Sequence, residues 1–345
     1  MPVLRALAAA NRALAELKGR AATIPNQGIL IDTLALQEAK ASSEVENIVT
    51  TQDELFQSDL FPEGLESGAA KEVARYRDAL KLGLAELLQT GGLIRNATLI
   101  DMYQLLKARS DGFRSTPGTA LMNDRTGEVV YVPPQDRSEI NAAMSELEAF
   151  INDDELCSLD PLIKMALIHH QFESIHPFAD GNGRIGRILN VLYLTKTGLL
   201  DIPILYLSRH INRHKADYYR LLQSVREDGG WEAWVLYMLE AVEQTSRTTL
   251  ALVEGIREQM ADVKQRLRAQ LPKLYSQDLL NNLFRHPYTR IQFVRDDLGV
   301  TRQTAADYLE QLVEKGFLEK HKSGRSNYYI NAALVGLFLR VSESP

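Results

Sequence analysis

Twelve consecutive residues carry most of the chemistry of this chain: His176-Pro-Phe-Ala-Asp-Gly-Asn-Gly-Arg-Ile-Gly-Arg187. Gly181, Asn182 and Gly183 free the backbone to curl, so that successive N–H groups can point into one anion-binding concavity. Apolar residues then recur at helical spacing, namely Ile185, Ile188, Leu189, Leu192 and Leu194. The glycine loop is therefore predicted to open a helix whose N-terminal amides and dipole favour a bound phosphate.

The charged side chains of this stretch suit a nucleotide polyphosphate. Arg184 and Arg187 lie three residues apart on one helix face, where guanidinium groups can clamp phosphoryl oxygens in fork geometry. Asp180 precedes the loop and offers hard oxygen ligands, and Mg²⁺ on a nucleotide usually takes one or two carboxylates plus phosphate oxygens. His176 remains as the proton acceptor.

Gly181 to Gly186 also fits the dinucleotide-binding pattern G-x-G-x-x-G, which is meaningful only after a strand and within a βαβ unit. The preceding apolar residues instead follow helical spacing, at Leu162, Met165, Ala166, Ile168, Phe172 and Ile175. His176-Pro177 then ends that helix. This context disfavours a Rossmann fold.

The stretch matches, position for position, the H-P-F-x-[DE]-G-N-G-R-x-x-R signature, so the chain resembles Fic-domain proteins. The resemblance implies an all-helical catalytic core that transfers AMP from ATP to a Tyr, Thr or Ser hydroxyl of a target protein. It implies that His176 is the base and that Asp180 is the Mg²⁺ ligand. It also implies that Asn182 and the loop amides bind the α-phosphate. Arg184 and Arg187 would bind the β- and γ-phosphates. The predicted ATP-binding residues are Gly181, Asn182, Gly183, Arg184, Ile185, Gly186, Arg187 and Tyr218. Tyr218, in the pair Tyr218-Tyr219, resembles the family's nucleoside-facing tyrosines.

An N-terminal segment resembles the inhibitory helix of one class of Fic proteins, whose pattern is [ST]-x-x-x-E-[GN]. Ser42-Ser-Glu-Val-Glu46-Asn47 fits this pattern at the end of an amphipathic helix. The resemblance implies that Glu46 pairs with Arg187 and so removes a γ-phosphate partner. Thr51 to Glu54 is a capping box that begins the next helix.

Residues 118–134 contain a predicted hairpin, with a polar turn at 123–127 and a strand at 129–132 that Pro133 ends. In Fic proteins such a flap lies over the active site. Its exposed edge could pair with an extended segment of the target protein and present a hydroxyl to His176.

The last seventy residues are typical of a winged helix. Helices are predicted from about Ser276 to Phe284, over 291–298 and from Thr301 to Lys315, followed by a second hairpin with its turn at 323–326. The third helix carries more acidic than basic residues, which disfavours DNA binding. Basic residues occur in the wing: Lys320, His321, Lys322 and Arg325.

Composition limits the remaining function classes. The chain has 345 residues, 45% of them hydrophobic, and a net charge of −6, which argues against a general nucleic-acid coat. Cys157 is the only cysteine, so no intrachain disulfide is possible and a cytoplasmic location is expected. No apolar run is long enough for a membrane span, and no signal sequence is evident.

We therefore expect a mainly α protein: a Fic helical core with a β-hairpin flap and a C-terminal winged helix. The expected parts are residues 1–60 with the inhibitory motif, 61–245 as catalytic core, 246–272 as linker helix and 273–345 as winged helix. The expected cofactors are ATP and Mg²⁺, and the expected partner is a target protein. Three alternatives stay open: removal of AMP by water activated near Glu46, use of another nucleotide, and a DNA-binding regulator that senses nucleotides. The oligomeric state, a homodimer included, is also open.

Overall fold

The computed structural model describes residues 1–60, 68–123, 126–323 and 326–343. The helices are α1 (Pro2–Ala21), α2 (Gly28–Val45), α3 (Gln52–Leu60), α4 (Gly68–Gln89), α5 (Asn96–Lys107), α6 (Arg137–Asn152), α7 (Pro161–Ile175), α8 (Asn182–Lys196), α9 (Ser208–Arg213), α10 (Lys215–Asp228), α11 (Trp231–Gln270), α12 (Gln277–Arg285), α13 (Ile291–Leu298), α14 (Arg302–Glu314) and α15 (Ala332–Glu343). The strands are β1 (Leu121–Met122), β2 (Val129–Tyr131), β3 (Tyr288–Thr289), β4 (Glu319–Ser323) and β5 (Ser326–Ile330). The predicted mainly helical fold is confirmed.

Helix α8 is the centre of the core. Apolar side chains around its whole circumference are buried, among them Ile185, Leu189, Val191 and Leu192. A helix that is apolar on all sides must be surrounded, and α8 packs against α2, α4, α5 and α7. The N-terminus of α8, where the glycine loop lies, is thereby held by four neighbouring helices.

Helix α11 is a single helix of 40 residues. Its first half packs against α7 and α10, and it also contacts α1, α12 and α15. The predicted boundary between the core and a linker helix, at residue 245, falls inside this continuous helix. The predicted boundary at residue 61 begins a segment, 61–67, that lies outside the described residues.

Helix α3 begins with the predicted capping box. The Thr51 hydroxyl accepts a hydrogen bond from the Glu54 amide at 3.1 Å, and the Glu54 carboxylate accepts one from the Thr51 amide at 2.9 Å. Two amide donors at the helix start are satisfied in this reciprocal way.

The C-terminal part contains α12, α13 and α14 and an antiparallel sheet with strand order β3-β5-β4. The three helices agree with the sequence prediction within two residues, whereas strand β3 was not predicted. This part docks on the N-terminal segment: Arg285 Nε donates to Asp32 at 2.5 Å, and the Tyr288 hydroxyl donates to Asp53 at 2.6 Å. Arg325 of the predicted wing lies outside the described residues.

In the described parts of the chain, every helix is either too short or too polar to cross a lipid bilayer.

Candidate active site

His176 follows the last residue of α7 and adopts a left-handed conformation with φ 51° and ψ 57°. This conformation is uncommon for a residue with a side chain, and the surrounding structure must hold it. Arg114 does so, because its Nε donates to the His176 carbonyl at 2.8 Å and its amide donates to the Pro177 carbonyl at 2.8 Å. The turn that presents His176 is therefore fixed from outside the loop.

The surroundings of His176 favour its neutral form. Burial lowers the pKa of the imidazole to about 4, and the charges of Arg114 and Arg226 act in the same direction. Arg226 also donates to the Glu173 carbonyl at 3.3 Å and to the Ser174 hydroxyl at 3.1 Å, just before the turn. At neutral pH the imidazole is unprotonated, which is the state that a proton acceptor needs.

The glycine loop begins α8, as expected, with Gly181 at φ 80° as the N-cap. The Asn182 side chain is buried and closes the loop on itself: its oxygen accepts from the Phe178 amide at 2.8 Å, and its nitrogen donates to the Phe178 carbonyl at 2.8 Å. Phe178 is buried and stacks on Tyr103, with ring centroids 4.2 Å apart. Asn182 thus shapes the loop, and its direct contact with an α-phosphate stays a prediction.

Two of the predicted ATP-binding residues, Ile185 and Gly186, pack against the protein interior. The Ile185 side chain is fully buried, so that only its backbone could face a ligand. A Cβ atom on Gly186 would meet Glu173 Oε1 at 2.7 Å and the Phe172 ring at 3.1 Å. Gly186 therefore allows the close approach of α8 to α7.

Arg184 is buried in a chain of alternating charges. Its Nη1 lies 2.5 Å from Glu72, Lys107 Nζ lies 2.6 Å from Glu72, and the same Nζ lies 2.6 Å from Asp180. Burial acts to raise the pKa of Asp180, but Lys107 and Arg184 outweigh it and hold this pKa below its usual value. Asp180 is thus ionised, and the side chain is 63% exposed, so that it remains open to a metal ion.

Arg187 is buried and is held by α2. Its Nε donates to the Ser42 hydroxyl at 2.8 Å, and its Nη2 donates both to the Ser42 carbonyl and to Glu46 Oε1, each at 2.8 Å. The contact predicted between Glu46 and Arg187 is therefore present. Three hydrogen bonds fix the guanidinium, and Ser42 provides two of them.

Asn47, which follows Glu46, helps to end α2. Asn47 has a left-handed φ of 60°, its amide donates to the Glu44 carbonyl at 3.0 Å, and the Ile48 amide donates to the Ser43 carbonyl at 2.9 Å. This is a Schellman motif, in which glycine and asparagine are the preferred left-handed residues. The motif stops α2 at Glu46, whose carboxylate then reaches the neighbouring helix.

The Glu46 carboxylate lies directly over the start of α8. A Cβ atom on Gly183 would clash with Glu46 Oε1 and would lie 2.9 Å from Arg187 Nη1. The N-terminus of a helix attracts anions through its amides and dipole. Glu46 therefore lies at the helix N-terminus where the sequence predicts a bound phosphate group.

Tyr218, the predicted nucleoside contact, is buried. It is 2% exposed, its hydroxyl lies 2.8 Å from His169 Nε2, and its ring packs near Trp234. The neighbouring Tyr219 is 47% exposed. The structure places Tyr218 in the core, so that its contact with a nucleoside stays a prediction that this burial disfavours.

Strands β1 and β2 form the predicted hairpin, although residues 124 and 125 of its turn lie outside the described residues. The guanidinium of Arg226 covers the Tyr131 ring at 3.9 Å, and Gln223 donates to the Val130 carbonyl at 3.1 Å. Arg114 also donates to the Pro134 carbonyl. The hairpin and the His176 turn are therefore held by the same two arginines.

Four residues of the site were not predicted from the sequence, namely Glu72, Lys107, Arg114 and Arg226. Each is a single charged residue far from the glycine loop in sequence. No spacing pattern could have linked them to it.

Three family models match this chain. The Fic/DOC family N-terminal model matches residues 4–85, the Fic/DOC family model matches 94–194, and the model for the C-terminal domain of SoFic-like protein adenylyltransferases matches 259–334. The helical fold and the loop that follows His176 agree with this result. The chain belongs to the Fic/DOC family.

Curated relatives share part of the chain. The protein adenylyltransferase Fic of Culex quinquefasciatus is 31% identical over 115 residues, which are 33% of this chain and 21% of that protein. The protein of the same name from Drosophila grimshawi is 30% identical over 177 residues, or 51% of this chain and 35% of that protein. The chain thus spans about a third or less of the length of these relatives.

Solved structures show the same fold. A Fic family protein from Desulfovibrio desulfuricans G20 superposes with a TM-score of 0.56 at 20% identity, over 94% of this chain and 95% of that one. Fic-1 (residues 134–508) from C. elegans superposes with a TM-score of 0.55 at 18% identity, over 71% of this chain and 72% of that one.

Proposed function

We propose that this protein transfers AMP from ATP to a side-chain hydroxyl of a target protein, itself included, and that Glu46 inhibits the transfer. One observation carries the proposal: the Glu46 carboxylate lies over the N-terminus of α8 and binds Arg187 of this helix. The loop that leads into α8 begins at His176. Such a carboxylate takes the place of a phosphate and repels one.

The proposed transfer forms one bond and breaks one. The acceptor hydroxyl loses its proton to His176 while its oxygen attacks the α-phosphorus of ATP, and the bond from that phosphorus to the β-phosphate bridging oxygen breaks. Pyrophosphate leaves with the electron pair of that bond. The phosphate charge of bound ATP acts against Arg114 and Arg226 and raises the pKa of His176 from its low value.

Asp180 fits a role as Mg²⁺ ligand, because its carboxylate is ionised and exposed at the loop. Among the described residues no cluster of three metal-binding side chains occurs, and a nucleotide-bound Mg²⁺ needs only one or two carboxylates. When bound, Mg²⁺ would neutralise phosphate charge.

The hairpin of residues 118–134 is proposed to receive the target protein. Its exposed side chains include Met122, Val129 and Val130. An extended segment that adds to a strand edge would gain main-chain hydrogen bonds there, close to the arginines that hold His176.

The C-terminal part is proposed to be a winged helix that contacts protein. Glu310 on α14 lies 2.6 Å from Lys320 of β4 and accepts from the Tyr329 hydroxyl, so that Lys320 is paired with an acidic residue. A DNA-binding surface normally keeps a net positive charge toward phosphate. The contacts of Arg285 and Tyr288 with the N-terminal segment also favour a protein-binding role.

The test uses ATP labelled at the α-phosphate or at the γ-phosphate, with Mg²⁺, lysate and the Glu46→Gly variant. AMP transfer labels protein from the α-position alone, and the matched variant Glu46→Gly with His176→Ala should give at least about a hundredfold less label. Label from the γ-position would indicate phosphoryl transfer instead. Tight ATP binding without any label would favour a nucleotide sensor, and loss of AMP from pre-labelled protein on adding wild type would favour AMP removal.

A further inference from the structure

Lys107 is the last residue of α5, and its side chain lies across the start of the glycine loop. A Cβ atom on Gly181 would meet Lys107 Cδ at 3.4 Å, so that the aliphatic stem packs on the loop. The ammonium group lies 2.6 Å from Glu72 Oε1 and 2.6 Å from Asp180 Oδ2. The proposed transfer of AMP uses Asp180 but gives no role to this ammonium group.

Both carboxylate oxygens of Asp180 have a partner. Oδ1 accepts a hydrogen bond from the Gly181 amide at 2.6 Å and lies 3.8 Å from Arg184 Nη2, whereas Oδ2 pairs with Lys107. Burial acts to raise the pKa of Asp180, but Lys107 and Arg184 hold it below its usual value. Charges that make a carboxylate bind a proton less tightly also weaken its binding of a metal cation. A metal ion at Asp180 must therefore compete with Lys107.

Glu72 of α4 holds the ammonium group beside Asp180. Its Oε1 atom also lies 2.5 Å from Arg184 Nη1, and the Arg184 side chain is only 1% exposed. Arg184 thus fixes Glu72, and Glu72 fixes Lys107. Because of this second carboxylate, Lys107 can give up Asp180 without becoming an unpaired charge.

We propose that Lys107 keeps Asp180 paired until the phosphates of ATP bind, and so makes metal binding at Asp180 depend on the nucleotide. The phosphate part rests on the proposed function. An ammonium group has three donors, so that Lys107 can turn one of them from Asp180 to a phosphate oxygen while Glu72 keeps another. Asp180 is then released as a ligand, next to phosphate oxygens that supply further ligands. Lys107 is thus a positioning residue for Asp180.

Binding of Mn²⁺ to the full chain without nucleotide tests the competition, since Mn²⁺ and Mg²⁺ both suit oxygen ligands in octahedral geometry. Electron paramagnetic resonance measures the free Mn²⁺. We expect Lys107→Met, which keeps a similar stem over Gly181, to bind Mn²⁺ about tenfold or more tightly than wild type. Lys107→Arg keeps the charge and should bind as weakly as wild type. The matched control Lys18→Met, whose lysine pairs with Asp201 at 3.0 Å, should change nothing.

The double variant Lys107→Met, Asp180→Asn shows where the added Mn²⁺ binds. It should lose the gain, because the carboxylate that Lys107 releases is then absent. A gain that survives in the double variant overturns the proposal. Unchanged or weaker binding by Lys107→Met also overturns it, and weaker binding would mean that Lys107 orients Asp180 for the metal instead. If Lys107→Met does not fold, Lys107→Gln gives the same comparison.

Calorimetry with ATP in EDTA tests the contact between the ammonium group and a phosphate. In the Glu46→Gly background, Lys107→Met should weaken metal-free ATP binding several-fold, and Lys18→Met should not. The loss should be smaller with Mg²⁺, because the metal then gains Asp180 without competition. An unchanged affinity for metal-free ATP overturns the exchange. If neither Glu46→Gly protein binds ATP, the proposed function and the exchange both fail, whereas the Mn²⁺ comparison still decides whether Lys107 competes with a metal.

Discussion

Glu46 Oε1 lies 2.8 Å from Arg187 Nη2, and the two residues are 141 positions apart in the chain. The contact joins the last turn of α2 to the first turns of α8. A residue of another helix thus holds the guanidinium that we propose binds a phosphate group of ATP.

Glu46→Gly is expected to increase AMP transfer about tenfold or more. Removal of the Glu46 carboxylate frees one charge-assisted hydrogen bond of Arg187 for the γ-phosphate, worth roughly 1.5–3 kcal/mol. Incorporation of α-labelled ATP measures the gain. The Glu46→Gly, Arg187→Ala double variant should cancel it, and Glu44→Gly, two residues earlier on α2, should show none. A gain that persists without Arg187 would indicate loosening of the helix end instead.

His176→Ala in the Glu46→Gly background should reduce transfer by about 10²–10⁴-fold while leaving the Kd for ATP within about twofold, because the imidazole acts on the acceptor proton. Radiolabel incorporation and calorimetry measure the two quantities. Transfer at the parent rate would remove His176 as the base.

The pH profile should also report the surroundings of His176. A folded-state pKa of about 4 leaves the base unprotonated well below the usual histidine range. We therefore expect kcat/KM to stay flat from pH 7 down to about pH 5 and to fall only nearer pH 4. An acid limb near pH 6.5 would show that burial, Arg114 and Arg226 do not depress this pKa in the free enzyme.

Asp180→Asn should raise the Mg²⁺ concentration for half-maximal transfer several-fold and lower the rate, since a neutral amide is a poorer ligand for a hard cation. Mg²⁺ titrations of the activated Glu46→Gly protein measure both. Asp217→Asn, on the exposed surface of α10, is the matched control. An unchanged Mg²⁺ requirement would leave Asp180 as an ion-pair partner of Lys107 and Arg184 without a role in metal binding.

Gly83→Ala should destabilise the fold by about 1–3 kcal/mol through overpacking, although alanine is the better helix former. A methyl group there would meet the Met102 sulfur and, at 2.7 Å, Leu192 Cδ1. Gly19→Ala on α1 is the matched control, because its Cβ would meet no atom within 4 Å, and it should stabilise. Urea unfolding measures both changes. Stabilisation by Gly83→Ala would mean that α4 and α8 can move apart without cost.

The sequence predicted those parts of the site that are local in the chain. The loop from His176 to Arg187 could be found because one short motif encodes it. The contact between Glu46 and Arg187, 141 positions apart, was predicted only from the family resemblance. The direction of a side chain was harder to predict. The Asn182 side chain bonds the Phe178 backbone. An amide near a tight turn can bond either the turn or a ligand, and residue spacing does not distinguish these two contacts.

The burial of Tyr218 could have been predicted from the spacing of apolar residues in α10. Tyr218 lies four and seven residues before Leu222 and Val225, so that all three share the buried face of α10. Tyr219 falls on the other face. By contrast, Arg114 and Lys107 gave no such signal, because their roles depend on helices and turns that meet only in the folded chain.

The continuous helix α11 limits how the ends of the molecule can move. At about 1.5 Å per residue, its 40 residues form a strut of about 60 Å, with α1 and α7 packed along it and α12 and α15 also in contact with it. A strut without a break offers no hinge within residues 231–270, and the non-helical residues 271–276 connect it to α12. The C-terminal part also contacts α2 directly, where Arg285 binds Asp32, so that a partner that binds the C-terminal part also acts on the helix whose end carries Glu46.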